Sequence, residues 1–415
     1  MKLSEELIWR GFINQTTLTS VSDLDERKIS FYLGVDPSAD SMTIGNLAIV
    51  MMVRHFIDHG HKAFMLVGGA TGMIGDPDGK KQEREQLTLD EIAHNKKSIA
   101  KQYDMLLGQS SFTLVDNYDW FKNMDYLTFL RDVGKHVPMS TMLGREFVTS
   151  RLGEDGAGIS YAEFSYALIQ AYDFLHLYKE KGVSLQVCGA DQWGNCIAGV
   201  DLTRRVTGKQ VDVLSCPLIV NKTTGVKFGK SEAGAIWLDA AKTSPTKFYQ
   251  FWINSDDAGV GDYLKIYTLL TKEKIDSILL EHQAQPSVRF AQKQLAFEVT
   301  SLVHGANSAE VAAKVTDYLT ASRPIEEIDA ESLTALKQEI GHFDVFLGSP
   351  IVDALVATHL AASTSEARRL IAANAISING KKVQVDLFAS EHFSNGRALL
   401  RRGKAFKDSA LIEQG

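Results

Sequence analysis

Cysteine is scarce in this chain, and long apolar runs are missing. Only Cys188, Cys196 and Cys216 occur among 415 residues. They show no paired metal spacing and cannot build a disulfide framework, so a reducing compartment is expected. No apolar stretch approaches transmembrane length. The first residues, MKLSEELIWRGF, read as the start of an amphipathic helix and not as a signal peptide. A cytoplasmic protein without membrane association is the expectation. Internal repeats and low-complexity segments are missing too. So are a HExxH spacing, a Ser-His-Asp arrangement, a paired-carboxylate site and the Walker ending of a phosphate loop. The eleven histidines are scattered. No metal site is expected.

What is present is globular. Hydrophobic residues make up 45% and charged residues 23% of the chain, and the length suits two or three domains. The net charge of −7 argues against coating of nucleic acid. Its distribution is uneven: Ser349–Gly415 carries nine Lys/Arg and six Asp/Glu, a net of +3. The first 348 residues therefore carry −10, the whole-chain −7 less this +3. A basic end on an acidic body fits local RNA contact better than nonspecific binding, but on charge alone a patch this small reads first as a solvated surface.

In the first half, strand-like and helix-like patterns alternate. The run 30–35 (SFYLGV) reads as a strand, and helical spacing follows over 45–59. Residues 63–67 (AFMLV) and 183–188 read as buried parallel strands, and 161–179 as a long helix. This alternation predicts an α/β architecture, an open Rossmann-like parallel sheet with helices on both faces. In such a sheet ligands bind beyond the carboxyl ends of the strands. From about 244 to 321 helix formers dominate, so a helical domain is expected. Residues 322–346 read as a connection, with a last compact unit starting near Ile351.

Five segments place chemistry beside these element ends. In Gly34–Leu47, a helix start near Thr43 offers backbone N–H groups to phosphate. Gly45 leaves room for an adenine ring, and Thr43 and Asn46 share one face of the first turn. An ordinary capped junction explains the same residues. In Gly68–Arg84, Asp76 suits an ammonium, while Lys80, Lys81 and Arg84 suit phosphate or solvent. In Phe164–Leu175, Tyr166, Gln170 and Asp173 share one helix face, which lines a pocket or is exposed. In Gly189–Asn195, Asp191 and Gln192 emerge at a strand's carboxyl end, for a ribose hydroxyl, an ammonium or a capped turn. In Lys227–Ser231 (KFGKS), two lysines flank Gly229 in a loop able to close over a polyphosphate.

Near the end, Ser363–Glu366 is a capping box opening a helix with Arg368 and Arg369. Ile376–Ile378, the Asn379-Gly380 turn and Val383–Val385 read as a hairpin with a slightly longer loop. Lys381, Lys382, Arg401, Arg402 and Lys404 add a small RNA-facing surface.

Taken together, FYLGVDPSADSM, VGGATGMIGDPDGKK, FSYALIQAYDFL, ADQWGN and KFGKSEAGAIWLD resemble the bacterial tyrosyl-tRNA synthetases in order and spacing, with FLRDVGKHV and FYQFWIN in support. The resemblance covers nearly the whole chain. It implies a Rossmann-like catalytic domain over 1–225, the KFGKS loop and an α-helical domain over 226–325, and a linker over 326–348. A small α+β S-four-type RNA-binding domain follows over 349–415. It implies activation of L-tyrosine by ATP, with Mg2+ accompanying the ATP, transfer to tRNA-Tyr, and a homodimer. By resemblance Tyr32 and Asp173 bind the phenol. Asp76, Tyr166 and Gln170 cradle the ammonium. Gly34, Asp36, Asp191 and Gln192 surround the adenylate and substrate. Lys80 and Arg84 are cations near a loop, and Lys227, Lys230 and Ser231 form the signature loop. The family's HIGH signature appears as Thr43-Ile44-Gly45-Asn46, with threonine where a histidine is usual. Leu33 stands where some members carry a thiol.

Two other readings compete. A noncatalytic RNA-binding protein on the same fold is motivated by Thr43 alone. A ligase for another aromatic substrate conflicts with the Tyr32–Asp173 pair.

Overall fold

The computed structural model describes residues 1–77, 86–108, 111–144, 146–152, 158–228, 230–231, 234–320, 323–403 and 408–415. Two compact units emerge, one of residues 1–242 with 255–291, the other of 243–254 with 292–415. Compactness therefore divides the chain differently from the expected stretches. The helices of residues 260–284 pack with the first unit, those of 290–319 with the second.

The first unit is built on a six-stranded sheet. Its strands are β1 (Gln15–Thr16), β2 (Ser30–Val35), β3 (Lys62–Val67), β4 (Phe112–Asp116), β5 (Val183–Gly189) and β6 (Asp212–Cys216). Their order is β1-β6-β5-β2-β3-β4. All pairs are parallel except β1 with β6. The antiparallel edge β1 is only two residues long, too short for period-two alternation to reveal it. The apolar runs of β3 and β5 are buried almost throughout, as strands covered on both faces must be.

Connections leave the sheet centre in opposite directions. From β2 the chain passes through α1 (Ile44–Asp58) to β3, and α2 (Leu89–Leu107) leads on to β4. Helix α3 (Tyr161–Lys181) precedes β5, and α4 (Trp193–Thr207) joins β5 to β6. Parallel crossovers share one hand, so opposite directions put their helices on opposite faces. Neighbouring residues of β2 show this. Phe31 meets Phe56 of α1 with ring centroids 4.8 Å apart, while Tyr32 meets Phe174 of α3 at 5.2 Å. The adjacent strands β5 and β2 are the point where the order reverses. Ligand sites belong beyond their carboxyl ends.

Helix α5 (Val260–Tyr267) supports the stem of the KFGKS segment. Phe228 stacks on Tyr263 at 4.2 Å and is buried.

In the second unit the five strands β7 (Gly341–Val345), β8 (Ile376–Ile378), β9 (Lys381–Lys382), β10 (Arg397–Arg402) and β11 (Ser409–Gln414) form one sheet, ordered β9-β8-β10-β11-β7. Two expectations change. Residues 341–345, read as part of a connection, form a strand parallel to β11, and the helix Ala330–Glu339 precedes it. The last sheet thus begins before Ile351. The hairpin loop is the two residues Asn379 and Gly380, both at positive φ, with Ile378 opposite Lys381. Its second strand ends at Lys382, short of Val383–Val385. The capping box forms, with Ser363 accepting from the Glu366 N–H. No helix among the described residues is long and apolar enough to cross a membrane.

Candidate active site

A cleft of about 510 Å³ opens at the carboxyl ends of β2 and β5. Of the expected residues, Tyr32, Gly34, Asp36, Thr43, Gly45, Asn46, Asp76, Tyr166, Gln170, Asp173, Asp191, Gln192 and Lys227 all line it. Lys80 and Arg84 lie outside the described residues. Lys230 and Ser231 have a described strand backbone, pairing with Ala235 and Gly234, but their side chains lie outside the described part.

The deep end is polar and closed. Tyr32 is 1% exposed and Asp173 2% exposed. Among the described residues the Tyr32 hydroxyl has no hydrogen-bond partner. Burial pushes the Asp173 carboxyl well above the usual carboxylate range, against the stabilising donors Asn117 and Trp120. Burial first, then the neighbouring thiol Cys196 and the Asp173 carboxylate, also raise the Tyr32 phenol.

A chain of hydrogen bonds fixes this end. The Trp120 indole N–H donates to Asp173 Oδ1 at 2.9 Å, and the Asn117 amide to Oδ2 at 3.1 Å. Asn117 also donates to Thr71 Oγ1 at 3.1 Å. Thr71 donates to Asp36 Oδ1 at 2.6 Å, and the Tyr166 hydroxyl to Asp36 Oδ2 at 2.7 Å. The sequence reading missed Asn117, Trp120 and Thr71. Asn117 directly follows β4 and Trp120 sits in the short helix Tyr118–Phe121 after it; the strand's pattern of partial exposure is weak for a buried strand. The rule that functional groups follow strands would have pointed to them had that strand been recognised.

The middle of the cleft holds a carboxylate and amides. Gln192 donates to Asp76 Oδ2 at 2.5 Å, and Gln170 to Gln192 at 3.4 Å. The Gln170 carbonyl oxygen is buried without a partner among the described residues. One anionic and several neutral polar groups suit the ammonium of an amino acid.

The open end faces the start of α1. Thr43 caps it, and its N–H and hydroxyl both lie 3.0 Å from Asn46 Oδ1. The backbone here is braced from residues 236–238: Ile44 N–H donates to the Ile236 carbonyl, and Leu238 N–H to that of Met42. Lys227 brings a cation to the cleft, 3.7 Å from the Asp191 carboxylate. A helix start and a lysine receive phosphate charge.

The surface residues of the second unit differ among themselves. Arg368, Arg369, Lys381 and Lys382 are exposed. Lys382 caps the Asn374 carbonyl, which sets the hairpin beside the end of the Arg368–Arg369 helix. Arg401 is instead engaged by the Leu319 carbonyl and Ser409, and Arg402 by Glu366 and Asp408.

An amino-acid-sized polar pocket that runs into a phosphate-receiving helix start, on a parallel sheet, defines an enzyme that activates a small acid with a nucleotide. Comparison gives the family. Residues 24–320 match the model described as tRNA synthetases class I (W and Y), and 336–407 match the Tyrosine–tRNA ligase SYY-like C-terminal domain. The Tyrosine–tRNA ligase of Geobacillus kaustophilus is 43% identical over 422 residues, covering 97% of this chain and 98% of that relative. Tyrosine–tRNA ligase 2 of Bacillus cereus is 42% identical and covers 100% of both. A C-terminally truncated mitochondrial tyrosyl-tRNA synthetase of Aspergillus nidulans superposes with a TM-score of 0.69 at 31% identity, covering 77% of this chain and 94% of that one. The chain belongs to the class I tRNA synthetases of the tryptophan and tyrosine group.

The raised Asp173 carboxyl has a sign in stability. Below the ordinary carboxylate range the group is protonated in both folded and unfolded chains and costs nothing. As pH rises, the unfolded chain releases its proton first, so the folded form loses stability until the folded value is passed. The melting temperature of the ligand-free protein, taken relative to Asp173→Asn, should fall as pH is raised from 4 to 8. The slope is at most about 1.4 kcal/mol per pH unit. A pH-independent difference between the two proteins contradicts this account.

Proposed function

We propose that the protein is a tyrosine–tRNA ligase. Its carrying observation is the buried Tyr32 hydroxyl, unpartnered beside the Asp173 carboxylate at the closed end of the cleft. A phenolic hydroxyl donates to Asp173 and accepts from Tyr32. Phenylalanine leaves the Tyr32 hydroxyl buried and unpaired, which costs about 1–3 kcal/mol, and gives Asp173 no donor beyond Trp120 and Asn117. Asp76, Tyr166, Gln170 and Gln192 hold the ammonium end. Gly34, Asp36, Gly45 and Asp191 bound the space for ATP, and Mg2+ arrives with the ATP phosphates.

The tyrosine carboxylate oxygen attacks the α-phosphorus of ATP, the bond to the β-phosphate oxygen breaks, and pyrophosphate leaves. The 3′-terminal adenosine of tRNA-Tyr then attacks the tyrosyl carbonyl, and AMP leaves. Neither step needs a covalent enzyme group. Positioning and stabilisation of phosphate charge suffice. Lys227 brings a cation to the cleft, and by resemblance Lys230 and Ser231 of the signature loop, with Lys80 and Arg84, belong to the same phosphate-stabilising set.

Within 349–415 the S-four-type assignment makes Arg368, Arg369, Lys381 and Lys382 the tRNA-contacting cations, with Arg401 and Arg402 bracing the sheet beneath them. A homodimer is supported by exposed Tyr126, Leu127, Met139, Leu143, Leu152 and Tyr161, which fall within 36 residues of one another. Exposed apolar side chains of this kind suit a subunit interface if they gather on one face. Action in the cytoplasm completes the reading.

Tyrosine-dependent ATP–pyrophosphate exchange tests it, with phenylalanine and tryptophan as controls. Exchange is expected with tyrosine alone, and Asp173→Ala should weaken tyrosine binding by about tenfold to a hundredfold. A folded, tyrosine-binding protein without exchange would instead favour the noncatalytic RNA-binding reading. Paired Arg368→Glu and Arg369→Glu substitutions should reduce tRNA charging severalfold and leave exchange unchanged. Equal loss of both activities removes the RNA role. Sedimentation should give twice the chain mass, and a monomer at micromolar concentration refutes the dimer.

A further inference from the structure

We propose that Thr43 acts as a positioning residue that turns Asn46 toward the nucleotide, and does not itself contact phosphate. The inference rests on the ligase reading, and it assigns the altered first position of the signature a role different from that of a direct donor.

The orientation of a carboxamide is ordinarily ambiguous, because its oxygen and nitrogen look alike. Here the backbone resolves it. The Thr43 N–H can only donate, so the atom 3.0 Å away must be the carbonyl oxygen Oδ1 of Asn46. The Thr43 hydroxyl lies 3.0 Å from the same oxygen. A carbonyl oxygen has no proton to give, so the hydroxyl spends its single proton there. What remains on the hydroxyl is lone pairs, and these repel an ATP phosphate oxygen. By contrast, the Asn46 amide nitrogen keeps two protons and makes no hydrogen bond among the described residues. Both side chains line the cleft.

The pair is also held as a unit. Hydrogen bonds from Ile44 to Ile236 and from Leu238 to Met42 flank Thr43 on both sides. The Leu47 N–H donates to the Thr43 carbonyl as the first turn of α1 closes. Turning the hydroxyl toward a phosphate would release Asn46 from one of its two restraints. The geometry thus makes Asn46 the donor and Thr43 its clamp.

Four variants decide the matter: Thr43→Val, Thr43→Ser, Asn46→Ala and the double variant Thr43→Val with Asn46→Ala. Adenylate formation is read by single-turnover quench, so that slow variants remain measurable, and tyrosine affinity by equilibrium dialysis. Thr43→Val should slow adenylate formation about threefold to tenfold, the loss of one neutral hydrogen bond. Its tyrosine affinity should not change. Thr43→Ser should restore the rate to within about twofold, since it keeps the same hydroxyl. Asn46→Ala should cost about a hundredfold, as removal of a transition-state donor does. In that background, adding Thr43→Val should change the rate by less than about twofold, because the two residues act through one group. An equal Thr43→Val cost in both backgrounds would mean an independent phosphate contact and overturn the proposal. So would a Thr43→Val protein as fast as wild type, or a slow Thr43→Ser. Failure of the unaltered protein to form adenylate while binding tyrosine would count against the ligase reading and not against the clamp.

Discussion

The buried carboxylate of Asp173 is the constraint around which the cleft is organised. A charge removed from water is costly, and burial here dominates the two hydrogen bonds that favour the ionised form. Those bonds matter because of what they recruit. Asn117 donates to Asp173 and to Thr71, and its own carbonyl accepts from the Ala70 N–H at 2.7 Å. Thr71 passes the connection to Asp36, and Asp36 to Tyr166. The segments after β2, β3 and β4 and helix α3 are thereby joined through polar atoms. Moving any one of them would strand a buried group at about 1–3 kcal/mol. The glycines between them serve the same closeness. A Cβ on Gly68 would overlap the side chains of Thr71 and Asp36, and one on Gly69 would overlap Asp116.

Topology explains why these segments converge. Because β5 and β2 are neighbours whose crossovers leave in opposite directions, a crevice opens beyond their carboxyl ends. The gap receives the residues after β2 from one side and those after β5 from the other. Helix α1 starts at its edge, where its dipole favours anionic groups. One open groove thus combines a hydrogen-bonding pocket that excludes water with an end that tolerates phosphate charge.

Much of this was legible in the sequence for physical reasons. Strands β2, β3 and β5 and helices α1 and α3 are long, and their burial imposes a pattern. Their boundaries were accordingly read to within one or two residues. Of the thirteen cleft residues, those of the loops after β2, β3 and β5 followed from the rule that ligands bind beyond parallel strands, Tyr166, Gln170 and Asp173 from their shared helix face, and Tyr32 from resemblance alone. What stayed hidden was short or locally ambiguous. Strand β1 has two residues, and β4 lies at an edge where partial exposure blurs its pattern. Asn117 and Trp120 were lost with β4. Strand β7 contains Gly341, His342 and Asp344, poor strand formers that the parallel partner β11 holds in place. The basic cluster read as one surface is divided in the fold. Arg401 and Arg402 have internal partners that only tertiary contact reveals.

The two ends of the cleft separate specificity from rate. At the closed end, discrimination depends on groups that are buried whether or not a ligand is present, so it is set by desolvation and geometry. On the proposed reading, the groups at the open end face charge that appears only as pyrophosphate departs, so their worth lies in the transition state. Thr43 belongs wholly to the open end. No hydrogen bond connects it to the Trp120–Asp173–Asn117–Thr71–Asp36–Tyr166 chain among the described residues. A change at the first signature position can therefore alter how fast tyrosine is activated without altering which amino acid is chosen. Under the proposed roles, that separation lets a substitution at the first signature position leave the amino-acid pocket untouched.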